Sequence, residues 1–183
     1  ERGDEKKNRT RWSNWTNVLC VRFPGINPDR LLNWLNQITG WFFSGPAVLA
    51  NLFLIAAALI LIMVQFDAFT QRLPAFEEFF AARNWLLLAA VLAGTKVLHE
   101  LGHGLACKRF GGQCHELGFM LLVLTPCLYC NVSDSWMLPS KWRRAAIGAA
   151  GMYVELTLAA ICTFIWWFSE VGMLHYLCLN IMF

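Results

Sequence analysis

Twenty-six consecutive residues, Trp41 to Phe66, carry no charge, and this run restricts the fold of the 183-residue chain more than any other feature. As a helix it reaches about 39 Å, more than the roughly 30 Å of a bilayer's hydrocarbon core. Backbone groups in lipid must be satisfied within the segment, so a helix is the expected form. Residues 84–106 and 145–168 are further runs of spanning length, and Val171 to Phe183 reads as the start of a fourth. The chain is 57% hydrophobic and 15% charged, whereas soluble domains run nearer half and a quarter. These numbers exclude an ordinary soluble domain and a disordered chain. The expected fold is all-α, a polytopic transmembrane helical bundle.

Charge placement orders the segments. Residues 1–40 hold seven Lys/Arg and the 107–144 connection holds five, but the 67–83 loop holds two. The positive-inside rule places the first two regions in the cytoplasm and the loop outside, in a multi-pass membrane protein. The basic amino-terminal flank reads as a membrane-proximal region, not as a nucleic-acid arm. Pro28, with Asn27 as N-cap, opens a short amphipathic helix carrying Leu31, Leu32, Leu35 and Ile38, expected to lie on the membrane surface. Residues 1–40 therefore form a cytoplasmic amino-terminal region, and 41–183 the membrane core. Within the connection, Leu117 to Cys130 is uncharged, 14 residues long and contains Pro126. It is too short to span and suits a re-entrant or strand-like segment buried against protein. The seven cysteines include one C-x-x-C, Cys127 and Cys130; with no second pair to complete a zinc ribbon, reduced thiols are expected.

The second span turns polar halfway, with Lys96, His99, Glu100 and His103. Ionisable groups inside a span are costly and mark function. His99-Glu100-Leu101-Gly102-His103 is H-E-x-x-H. On a helix its two imidazoles share a face and can hold Zn²⁺ as metal ligands. Glu100 can reach a metal-bound water and serve as the catalytic base. Glu155, an acid in the third span, and Asp134, near the strand-like segment, are candidate further ligands. Asp134 also suits a cap, and Glu155 suits an outer position supporting the histidines. Lys96 can pair with Glu155 or reach toward the interface. Cys107 continues the His99–His103 face. Six small residues in seven, from Ala145 to Gly151, permit close helix approach.

The motif within a spanning helix resembles the site-2 protease family of intramembrane zinc metalloproteases, and most closely its bacterial peptide zinc metalloprotease branch. Gly104, Ala106, Gly111 and Gly112 follow the motif as in the family's H-E-x-G-H-x-x-x-A-x-x-x-G, with Ala106 offset by one. Ala150 to Glu155 resembles A-G-P-x-x-N, with Met152 for Pro and Glu155 for Asn. The resemblance implies hydrolysis of peptide bonds in or near a membrane-spanning protein or peptide substrate, with Zn²⁺ as cofactor. It also implies a third ligand, an Asp in an x-D-G motif. No Asp-Gly follows His103, so that ligand is expected beyond Phe183, in a longer chain of which this is a piece. Two other readings compete: a non-catalytic metal-binding subunit of a membrane export system, and a bundle binding haem through His99 and His175.

Overall fold

The computed structural model describes residues 20–183 apart from 24, 123–124 and 171; the polar stretch 1–19 lies outside the described residues. Strand β1 (Cys20–Arg22) precedes helix α1 (Asp29–Thr39), a 3-10 turn over Gly40–Phe43 and helix α2 (Gly45–Val64). Short helices α3 (Phe66–Arg72) and α4 (Phe76–Phe79) lead to the long helix α5 (Ala82–Arg109). Strands β2 (Glu116–Leu122) and β3 (Thr125–Asn131) and a 3-10 turn over Ser133–Met137 then lead to α6 (Lys141–Phe168) and α7 (Met173–Met182).

Among the described residues, three helices, α2, α5 and α6, are long and apolar enough to cross a membrane. The first is shorter than its uncharged run suggests: 20 residues, about 30 Å instead of 39 Å. The cause is local. Ser44 is extended (φ −77, ψ 153) and Pro46 sits in the first turn, where its missing N–H costs nothing. Trp41 to Phe43 are left in the 3-10 turn. Leu52, Phe53, Ile60 and Met63 of α2 are all exposed, an apolar surface too continuous for water and suited to lipid. The loop over 67–83, read as polar and irregular, contains α3 and α4.

Helix α1 begins one residue later than its proline suggests. Pro28 stands just before the helix, and the Asn27 side chain accepts from the Asp29 N–H at 2.9 Å. Its apolar residues divide between two surfaces. Leu32 is fully buried where α1 crosses α5, within reach of Gly104. Leu31, Trp34 and Ile38 stay exposed, as on a helix that meets an interface. The Lys108 ammonium, at the end of α5, pairs with Asp29. That hydrogen bond holds the Asp29 carboxyl below the usual carboxylate range.

The 14-residue uncharged segment, expected to be re-entrant or strand-like, forms a hairpin beside the helices. β2 pairs antiparallel with β3, from Glu116 opposite Asn131 to Leu122 opposite Thr125. β1 pairs with the other side of β2, giving the order β1-β2-β3. The sequence showed one element because no charge marks the turn. Folding it back pairs the backbone groups within the segment, as an apolar setting requires. Pro126 cannot donate to a ladder, which suits its place on an edge strand.

Two clusters organise the bundle. At one end Trp166, Cys162, Cys178 and Leu179 are buried together beside Phe69 and Phe79. There Asn180 and Asn84 exchange hydrogen bonds of 3.0 and 3.4 Å between α7 and α5. At the other end Ala106, Cys107, Ile147 and Ala150 join α5 to α6. Small residues allow this close crossing: a Cβ on Gly102 would stand 2.9 Å from Val154 and 3.1 Å from the Ala150 carbonyl. Helix α5 stops at Gly111, whose φ of +90 disfavours any residue with a side chain. Its N–H and that of Gly112 close the last turn on Lys108 and Cys107.

Candidate metal centre

His99 and His103 lie one turn apart on α5, facing α6. Their Nε2 atoms approach to 3.1 Å. The opposite ring nitrogens explain the protonation. His103 Nδ1 lies 2.7 Å from the Ile147 carbonyl oxygen. A carbonyl only accepts, so Nδ1 carries the hydrogen and Nε2 carries a lone pair. His99 Nδ1 lies 3.1 Å from the Glu155 carboxylate oxygen Oε2 but makes no hydrogen bond there. The two Nε2 atoms stand within hydrogen-bond distance of each other, at 3.1 Å.

Helix α6 builds this arrangement from residues four apart. Ile147 supplies the carbonyl acceptor for His103, and Glu155 places a carboxylate oxygen 3.1 Å from Nδ1 of His99. Gly151, between them, supplies a gap. A Cβ there would stand 2.5 Å from His99 Nε2 and 2.7 Å from His103 Nε2. Only glycine leaves the two nitrogens open on that side.

The donor set fits half of a zinc site. Two nitrogens on a tetrahedral zinc, each at 2.0–2.1 Å, stand about 3.3 Å apart, close to the separation here. Ligating histidines characteristically give their other N–H to a carboxylate or backbone carbonyl, and His103 does so, to the Ile147 carbonyl. Among the described residues, however, no group of three His, Cys, Asp or Glu side chains is arranged to hold a metal.

The other candidate residues fall as follows. Glu155 stands at the Nδ1 side of His99, away from the point where the Nε2 atoms converge, and its second oxygen pairs with Lys96 at 2.8 Å. Asp134 is in the 3-10 turn after the hairpin and faces His115 at 3.2 and 3.3 Å. Cys107 is buried under Ile147, with its thiol 3.7 Å from the Gln113 carbonyl. His175 packs on Trp166 with ring centroids 5.0 Å apart and contacts Ser169 at 3.3 Å, in the opposite cluster from His99. That separation leaves the haem reading without its second ligand.

Glu100 is half-buried. Its charge acts on Cys130 of β3, whose thiol is held well above the usual range. The main cause there is the hydrogen bond to Cys114, at 3.0 Å between sulfurs, followed by burial. The same bond draws the Cys114 thiol below the usual range. The C-x-x-C pair therefore does not meet: residues three apart in a strand point to opposite faces, and Cys130 turns to Cys114 instead. Cys114 and the Ile147 carbonyl were not legible as site features. A backbone acceptor leaves no residue-type signal.

A cleft of about 340 Å³ opens between α5, α6 and α7, with Leu92, Lys96, Met152, Glu155 and Ile181 among its walls. It reaches the outer side of the Glu155 carboxylate.

No protein-family model and no solved structure matches the chain. A curated relative does: "Putative peptide zinc metalloprotease protein YydH" of Bacillus subtilis (strain 168), 27% identical over 81 residues. The match covers 44% of this chain and 32% of the relative, so the chain matches about a third of that protein's length. The similarity supports a distant, zinc-metalloprotease-like relationship and makes peptidase activity plausible.

Proposed function

We propose that this chain carries the metal-binding core of an intramembrane zinc metalloprotease of the site-2 protease kind, cleaving peptide bonds in or near membrane-spanning substrates. The observation that carries the reading is the approach of the His99 and His103 Nε2 atoms to 3.1 Å, with the His103 ring held from behind by the Ile147 carbonyl on α6. His99 and His103 would hold the ion, with a third protein ligand from outside the described residues. Zinc bound there would supply a Lewis acid and lower the pKa of water. Glu100 takes a proton at its carboxylate from the attacking water and returns it to the departing amine. A substrate helix must unwind to expose a scissile bond. The outer edge of β3, on the flank of α5, offers backbone partners to the unwound segment. Metal content tests this reading. The full-length protein in detergent should hold about one zinc per chain, because H-E-x-x-H supplies two of the usual three protein ligands. His99→Ala and His103→Ala should each abolish it. Stoichiometric zinc surviving both changes would place the metal elsewhere.

The proposed setting is the bacterial inner membrane, with 1–40 and 107–144 in the cytoplasm. The support is seven and five basic residues in those regions against two in 67–83. Single cysteines introduced into 67–83 of a cysteine-free variant should react with an impermeant maleimide in spheroplasts without permeabilisation. Reaction only after permeabilisation would reverse the topology.

A further inference from the structure

We propose that Cys114 and Cys130 form a redox-modification site, a thiol pair that hydrogen peroxide converts to a reducible disulfide stapling the base of the β2–β3 hairpin. The inference is independent of the metal reading. The two sulfurs stand 3.0 Å apart, about 1 Å beyond the length of an S–S bond. Fold placement, not spacing in sequence, brings them together. Cys130 lies opposite Leu117, near the base of the hairpin. Cys114 stands two residues ahead of β2, with its thiol also 3.8 Å from the Glu116 carbonyl. The Cys130 sulfur rests on the bare backbone of α5: a Cβ on Gly104 would stand 3.4 Å from it and 2.9 Å from Leu32 of α1. The pair is therefore held sulfur to sulfur where the hairpin packs on α5 and α1.

The surroundings select the oxidant. Cys114 is buried and Cys130 half-buried, which admits a molecule of peroxide's size and excludes a bulky disulfide. The hydrogen bond between the sulfurs draws the Cys114 thiol below its usual range, and the thiolate is the attacking form. Its sulfur attacks one peroxide oxygen. The O–O bond breaks, and the departing hydroxide takes up the proton that Cys114 released, giving water. Cys130, already at contact distance, then attacks the sulfenic sulfur of Cys114. An S–S bond forms, the S–O bond breaks, and the hydroxide leaves with the Cys130 proton as a second water. Two thiols lose two electrons and one peroxide gains them. A thiol at contact distance diverts the sulfenic acid to a disulfide before it reaches the irreversible sulfinic stage. The bond ties the chain entering β2 to β3, so the hairpin can no longer part at its base. It does so beside Gly104, the residue that follows His103.

The test uses the full-length protein in detergent, treated with hydrogen peroxide, blocked with N-ethylmaleimide and digested without reduction for mass spectrometry. The expected product is a peptide pair joined through Cys114 and Cys130, lighter by the two hydrogens lost, which dithiothreitol separates. Amide exchange in β2 and β3 should slow by about tenfold or more on oxidation, because the staple constrains the opened hairpin, and should recover on reduction. Cys130→Ala should abolish both effects and leave Cys114 as a sulfenic acid or a higher oxide. Maleimide on both thiols after peroxide, or a bridge from either cysteine to Cys107 or Cys127, would overturn the proposal. A Cys114–Cys130 bridge with unchanged exchange in β2 and β3 would refute the staple. The joined peptide is read from the parent protein, so the outcome does not depend on the variant folding.

Discussion

If the proposed function holds, Glu100→Gln should lower cleavage of a membrane-embedded substrate by about 10²–10⁴-fold, the range for a lost general base, and leave zinc in place. The loss corresponds to about 3–5 kcal/mol of transition-state stabilisation. The amide has the size and shape of the carboxylate but cannot take a proton from water. Metal binding persists because the two imidazoles, not Glu100, converge at 3.1 Å. The measurement is a reconstituted cleavage assay run beside metal analysis on the same preparations. The split between retained metal and lost activity separates the protease from a metal-binding subunit of an export system, whose transport role needs no proton acceptor at position 100. Full cleavage by the Gln variant would end the metalloprotease mechanism.

On the same reading, Gly151→Ala should abolish zinc binding, or weaken it by at least about a hundredfold, without altering any proposed ligand. The new methyl carbon would sit 2.5 Å from His99 Nε2 and 2.7 Å from His103 Nε2, well inside the roughly 3.5 Å of ordinary contact. Neither ring can retreat freely. His103 is tied to the Ile147 carbonyl and His99 faces Glu155, both on the helix that carries the methyl. Overpacking of this kind also costs about 1–3 kcal/mol of stability. Gly148→Ala is the control, since a Cβ there meets nothing within 4 Å; it should bind zinc like the parent. Isothermal titration of both variants decides the matter. Equal affinities for the two alanine variants would show that the rings do not face α6 as described.

The elements were legible where one physical signal dominates. Mostly apolar runs of spanning length are expected to be helices in lipid, and α2, α5 and α6 are all there, with differences confined to their ends. Pro46 shortens α2 and Asn27 shifts the start of α1, because caps and prolines act on single residues that a run-length reading averages over. The hairpin was half legible: Leu117 to Cys130 stood out as short and apolar, but its pairing with residues 20–22 depends on chain segments nearly a hundred residues apart. The described cysteines are the reduced thiols expected, but their contacts were not legible: strand alternation sends Cys130 to Cys114 rather than to Cys127.

The candidate site divides along the same line. H-E-x-x-H lies within one helix turn, so periodicity alone puts His99 and His103 side by side, and the sequence determined that much. It also marked Glu155 and Lys96 as costly charges that need partners. Which atoms meet was decided by the crossing of α5 and α6. That crossing, made close by Gly102 and Ala150, brings the Ile147 carbonyl to one imidazole, the Glu155 carboxylate to the other, and the bare backbone of Gly151 to the gap between them. Spacing within a helix is local and can be read from one segment. Tautomer, lone-pair direction and the room left for an ion depend on the distance between two helices, which only packing sets.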